Sequence, residues 1–88
     1  MKEIIFKVSN MSNPNSVAGA VASEINSENT VKLQAIGAGA VNQTMKAVAI
    51  ANGFVAASGK RIVCQPAFGQ AEINGELKTC MVLTIILL

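Results

Sequence analysis

The 88-residue chain contains no histidine, aspartate, tryptophan or tyrosine, and its only carboxylate side chains are five scattered glutamates. Without histidine and aspartate, a Ser-His-Asp triad, a histidine-based zinc site and an HExxH metalloprotease helix are all excluded. General acid–base catalysis needs positioned proton-transferring groups, and isolated glutamates do not indicate them. We therefore expect a protein that is not an enzyme and that uses no metal and no cofactor.

Charge and cysteine are also scarce. The formal net charge is +2, which alone does not indicate a strong polyanion binder, because phosphate affinity grows with the number of contacting cations. Cys64 and Cys80 are too few for a disulfide framework and are expected to lie buried in strands. The first residues do not read as a signal peptide, and the apolar run at 81–88 is far shorter than the ~20 residues of a membrane helix. We expect a cytoplasmic protein without a membrane partner.

Aliphatic residues are what the chain has in abundance. Hydrophobic residues make up 51% of it, whereas only three residues, all phenylalanine, are aromatic. A chain of this length forms a single domain, residues 1–88, with a core of modest size. So much apolar surface on a small body predicts that another subunit covers part of it. The shortage of aromatic residues leaves no evident platform on which unpaired bases could stack.

Alternating and helical patterns predict the order βαβαββ. Asn13-Pro14 starts the first helix, because asparagine is a favoured N-cap and proline fits the first helical position. Asn74-Gly75 predicts a two-residue hairpin turn. Two right-handed crossovers then place both helices on one face of a four-stranded mixed sheet, which is an α/β fold of the two-layer (α+β) kind. The predicted strands are residues 3–8, 30–36, 60–65 (interrupted at Pro66 and Gly69 and resuming at 71–73) and 76–87, and the second helix is about 40–53.

The junction between the second strand and the second helix is the strongest candidate for a functional site. Gly37, Ala38 and Gly39 form a glycine-containing turn directly before the helix. Free N–H groups at a helix start attract anions, and the helix continues with Asn42, Gln43 and Lys46. The turn lacks the third glycine of a dinucleotide-binding fingerprint. The same turn has an alternative interpretation of equal weight, in which it has no binding role and only lets the helix pack closely. At most one of Lys60 and Arg61 can join Lys46 in a basic strip on the surface, because neighbouring strand residues point to opposite sides.

The loop after the first strand is a second candidate. Asn10, Asn13, Asn15 and Ser16 carry side chains that can hydrogen-bond phosphates or bases. Their alternative role is in turns and helix capping, and for Asn13 capping is the stronger expectation.

Several runs of this sequence resemble the stage V sporulation protein S family. They include residues 12–20 (SNPNSVAGA), 34–40 (QAIGAGA) and 46–51 (KAVAIA). The resemblance covers nearly the whole chain and implies a small regulator of bacterial sporulation with an architecture like the archaeal chromatin protein Alba. Alba-like domains dimerise and bind DNA or RNA, with the loop after the first strand and the turn before the second helix facing the nucleic acid. On this sequence those segments are residues 9–16 and 37–46.

The function predicted from residues and resemblance together is a nucleic-acid-binding regulator, for RNA or DNA, that forms a homodimer or a tetramer. One alternative is a protein-interaction or assembly module without nucleic-acid binding, in which the apolar second helix and the last strand are the working surfaces. A weaker alternative is a sensor of a small anionic ligand at the glycine turn. The predicted nucleic-acid-binding residues are Ser9, Asn10, Asn13, Asn15, Ser16, Gly37, Ala38, Gly39, Asn42, Gln43 and Lys46.

Overall fold

A computed structural model describes residues 1–88 and confirms the βαβαββ order. Two helices pack on one face of a four-stranded sheet, in two layers. Neither helix combines the length and the apolarity needed to cross a membrane. The elements are β1 (Glu3–Val8), α1 (Pro14–Asn26), β2 (Thr30–Ala35), α2 (Ala38–Ala56), β3 (Ile62–Ile73) and β4 (Glu76–Leu87).

The sheet has the order β1-β2-β4-β3, with β1 and β2 parallel and the other pairs antiparallel. Because β1 and β2 run the same way, the loops that follow them leave the sheet at the same end, here named the site end. Alternate residues of β2 point to opposite faces of the sheet, and Val31, Leu33 and Ala35 are buried under the helices. Lys32 and Gln34 lie on the other face, named here the open face, which no element of this chain covers.

The core lies between the sheet and the two helices. Val21 and Ile25 of α1 are buried one helical turn apart, and α2 contributes Ala51 and Val55. Thr44 is the one buried polar residue, and its hydroxyl donates a hydrogen bond of 2.8 Å to the carbonyl of Ala40 one turn earlier. The cysteines are free thiols, as expected, with Cys80 buried and Cys64 half-buried.

The predicted interruption of β3 is wrong, because the strand is continuous through Pro66 and Gly69. β3 is an edge strand, where proline is tolerated because alternate N–H groups point away from the sheet. Gly69 sits where a Cβ atom would lie only 2.8 Å from Cγ2 of Val82. Asn74 (φ 52°) and Gly75 (φ 80°) both have left-handed conformations and form the predicted hairpin turn. β2 pairs with β4 only as far as Met81, so residues 69–80 project past it as a hairpin arm.

Other element boundaries also differ from the prediction. Helix α2 begins at Ala38 and ends at Ala56, so the turn before it is shorter than predicted and Gly39 already lies in the first helical turn. Lys60 and Arg61 precede β3. The Lys60 Nζ donates a hydrogen bond of 2.9 Å to Oδ1 of Asn26, at the end of α1 and therefore far from the site end. Neither residue extends a basic strip towards Lys46.

Candidate nucleic-acid interface

The N-terminus of α2 is open. Gly37 is its N-cap residue, with φ 88° and ψ 159°, and no side chain caps the helix or places a carboxylate in its first turn. This conformation is one that glycine adopts without strain. The amides of Ala38, Gly39 and Ala40 donate no hydrogen bond within the chain, and Ala38 and Gly39 are exposed. The first turn of a helix has no intrahelical acceptors for these donors, so they are available to an external oxygen.

A polar stripe leads along α2 to these amides. Asn42 and Lys46 follow Ala38 at successive intervals of four residues, and therefore lie on one face of the helix. Both are exposed, and Lys46 forms no ion pair. Helical side chains lean towards the N-terminus, so Lys46, two turns into α2, can extend its side chain towards the open amides.

The loop between β1 and α1 packs against the start of α2, so the two predicted segments form one surface. Gln43 is half-buried, and its Nε2 donates a hydrogen bond of 2.9 Å to the carbonyl of Ser12. Asn10 lies directly on Gly39, where a Cβ atom would approach the Asn10 Cβ to 2.9 Å. Gly39 is thus required for close contact with the loop, which is the second of its two predicted roles. Gln43 acts as a tie between loop and helix.

The loop holds its own conformation through its serines. The amide of Ser9 donates to Oγ of Ser12 at 2.9 Å, and the amide of Met11 donates to Oγ of Ser9 at 3.1 Å. The amide of Ser12 donates a hydrogen bond of 3.1 Å to the carbonyl of Ser9. The Ser9 hydroxyl therefore already accepts a bond inside the loop, although the residue remains exposed.

The N-terminus of α1 is capped, and the stronger expectation for Asn13 is confirmed. Its Oδ1 accepts hydrogen bonds from the amides of Asn15 at 2.9 Å and Ser16 at 3.3 Å. The side chains of Asn15 and Ser16 are exposed and make no hydrogen bond to the protein. Polar side chains therefore surround the capped start of α1, but its amides are occupied.

Sequence reasoning missed a group of polar residues beside this surface. Lys7, Gln34 and Glu72 line a cavity of about 290 Å³ together with Ser9 and Asn10 of the loop. Lys7 and Gln34 are neighbours in the β1–β2 register and stand one residue before the strand ends. Their alternation with buried Val8 and Ala35 could have placed both on the open face at the site end. The approach of Glu72 depends on the path of the hairpin arm and had no signal in the sequence.

The ion pairs of the chain leave two cations free at the site end. Lys32 pairs with Glu3 at 3.3 Å, and Lys78 pairs with Glu76 at 3.8 Å. Lys7 and Lys46 form no ion pair. The other cationic side chains without an ion pair precede β1 or β3 and lie at the opposite end of the sheet; they are Lys2, Lys60 and Arg61.

The chain matches a known protein family. The family model described as Stage V sporulation protein S (SpoVS) matches residues 4–87, nearly the whole chain. The matched range includes both segments of the candidate interface as well as the hairpin arm.

Proposed function

This chain belongs to the stage V sporulation protein S family, and we propose that it serves sporulation as a cytoplasmic regulator that binds RNA or DNA. A phosphate group is held by the open amides of Ala38 and Gly39, with Lys46 supplying positive charge. Asn42, Asn15 and Ser16 offer further hydrogen bonds at the rim, because their side chains are exposed and unbonded within the chain.

The open start of α2 is the observation that carries this proposal. An exposed helix N-terminus with free amides and a nearby cation favours an anion by charge and by hydrogen bonding together. No carboxylate stands in its first turn to occupy the same place. With Lys7 and Lys46 as the only unpaired cations at this end, roughly two neutralised phosphates would give a log–log salt slope of about −2.

We also propose that the chain associates with further copies of itself. Phe68 shares a sheet row with Met81 and buried Ala35, on the side that faces the helices, yet it is 81% exposed. Helix α2 leaves this part of β3 uncovered, and its own Met45 and Phe54 are about half exposed. Apolar side chains in this state are typical of surfaces that associate. Light scattering over a range of concentrations would show a dimer or tetramer that Phe68→Ser weakens.

A matched pair of charge reversals tests the nucleic-acid proposal. Lys46→Glu and Lys2→Glu change the net charge equally, but only Lys46 lies on the polar stripe. Labelled RNA and duplex DNA should be titrated with each variant at several salt concentrations. We expect Lys46→Glu to bind about tenfold more weakly, the loss of one charge-assisted contact, and its salt slope to fall by about 1. Lys2→Glu should bind within about twofold of the parent protein, since its charge lies far from the site.

Equal effects of the two reversals would show that binding depends only on net charge, and the site at α2 would be wrong. Absence of binding to either nucleic acid at low salt would remove the function altogether. The exposed Phe68 supports the second candidate, an assembly module. That function would remain if the chain associates through this residue while neither variant nor the parent protein binds nucleic acid.

A further inference from the structure

The cavity beside the interface lies between the hairpin arm and the ends of β1 and β2. Its volume of about 290 Å³ is at the lower limit of small-molecule sites, which run from about 300 to 1,000 Å³. This size suits one nucleobase or nucleoside. Asn10 belongs both to the cavity lining and to the contact with Gly39, so the cavity adjoins the open start of α2.

The lining combines apolar side chains with polar groups that have no other partner. Ile36, which follows β2, and Ile73, on the arm, supply apolar surface. The side chains of Lys7, Gln34, Glu72 and Asn10 make no hydrogen bond or ion pair within the chain. The amides offer donors and acceptors together, the carboxylate accepts from amino groups, and the ammonium group donates.

This mixture distinguishes between kinds of ligand. A bare phosphate would gain nothing from Ile36 and Ile73 and would be repelled by Glu72. A lipid chain would leave four polar side chains without partners, which is costly on burial. A nucleobase meets both conditions, because its ring faces are apolar and its edge carries donors and acceptors that amide and carboxylate side chains recognise.

We propose that the cavity takes one unpaired nucleobase of a strand whose phosphate lies at the start of α2. This rests on the proposed function and makes it more specific: the protein prefers single-stranded nucleic acid. Paired bases cannot enter the cavity unless they are flipped out, which requires unpairing and unstacking them. Apolar aliphatic walls replace the aromatic stacking platform that the sequence lacks.

Filling the cavity tests the proposal. Ala71 lines the cavity, whereas Ala67 lies on the same strand outside it, so Ala71→Leu and Ala67→Leu are a matched pair. Fluorescence anisotropy should compare a labelled single-stranded RNA of mixed sequence with its duplex, and with each nucleoside monophosphate. We expect the parent protein and Ala67→Leu to favour the single strand by about tenfold, since one good base contact supplies that discrimination. Ala71→Leu should bind single strand and duplex alike, with the duplex affinity unchanged.

A second pair of variants tests the proposal even if Ala71→Leu fails to fold. Gln34→Leu removes a polar group of the cavity, and Gln65→Leu makes the same change on β3, outside it. Only Gln34→Leu should reduce the preference for the single strand, while circular dichroism confirms that both variants are folded.

The outcomes separate this inference from the function on which it rests. If the parent protein binds single strand and duplex equally, or if Ala71→Leu keeps the preference, the base cavity is wrong. Salt-dependent binding that Lys46→Glu weakens would then leave the proposed function standing. A third outcome is that free mononucleotides bind, Ala71→Leu abolishes that binding, and no strand binds at low salt. The cavity would then be a site for free nucleotides, and the proposal that it takes a base of a strand would be wrong.

Discussion

Helices α1 and α2 begin at the same end of the sheet, but their first turns are satisfied in opposite ways. In α1 the Asn13 side chain accepts two amides at 2.9 and 3.3 Å, whereas α2 begins at Gly37 with no capping side chain. A capping asparagine is worth about 1 kcal/mol over a residue that cannot cap. With glycine as its N-cap, α2 forgoes only roughly a few tenths of a kcal/mol of that stabilisation, and the donors it leaves free are the ones a phosphate would use.

Other contacts hold the start of α2 in place without a cap. The Gln43 amide ties the helix to the Ser12 carbonyl, and Ala40 is buried and accepts the Thr44 hydroxyl. Gly39 lies against the Asn10 side chain on the loop. A preorganised site needs this kind of support, since an anion gains most from donors that do not have to be ordered on binding. The open start of α2 is therefore held by tertiary contacts rather than by a capping side chain.

The largest expected effect comes from closing the open end. Gly37→Asp brings a carboxylate to the free amides, and nucleic-acid affinity should fall by about thirtyfold, equivalent to about 2 kcal/mol. Because Gly37 has φ 88°, any side chain adds strain of about 1–3 kcal/mol. Gly37→Ala carries the same strain without the charge, and binding measured on both variants isolates the carboxylate. Equal affinity of the two would contradict a phosphate at this helix start.

A smaller effect is expected from separating the loop and the helix. The Cβ of Gly39→Ala would meet the Cβ of Asn10, a backbone-attached carbon that cannot swing away, at 2.9 Å. The free energy of unfolding should fall by about 1.5 kcal/mol, within the usual cost of overpacking. Gly19→Ala in α1 is the control, since nothing lies within 4 Å of its added Cβ. It should raise the free energy of unfolding by about 0.5–1 kcal/mol. Urea denaturation of both variants measures the difference, and a neutral Gly39→Ala would refute the close contact.

The smallest effect on binding is expected at the capped helix. Asn13→Ala removes the acceptor of two amides and should lower the free energy of unfolding by about 1 kcal/mol, a fall in Tm of about 4–8 °C. Asn13→Ser keeps a capping oxygen and should stay close to the parent protein. Nucleic-acid affinity should change by less than about twofold in both variants, because α2 holds the phosphate. Thermal unfolding followed by anisotropy titration checks this, and a large loss of affinity in Asn13→Ala would transfer the site to α1.

The fold could be predicted where the signal is local. The alternation of Val31, Leu33 and Ala35, the pair Asn13-Pro14 and the turn Asn74-Gly75 each predicted their element correctly. The break predicted in β3 was wrong because proline is excluded from a central strand but not from an edge strand. Which strand is the edge depends on the sheet order, and no local pattern contains it.

The candidate site divides in the same way. The glycine turn and the asparagine-rich loop were found from their residues, because backbone freedom and capping chemistry are properties of a few neighbouring positions. The contact of Asn10 with Gly39, the tie from Gln43 to Ser12 and the cavity that joins Gln34 to Glu72 arise from distant segments. By itself the sequence determined the order of the elements, the polar turns and the lack of histidine and aspartate. Tertiary structure alone decided which donors stay free, because that depends on whether another part of the chain packs within hydrogen-bonding distance of them.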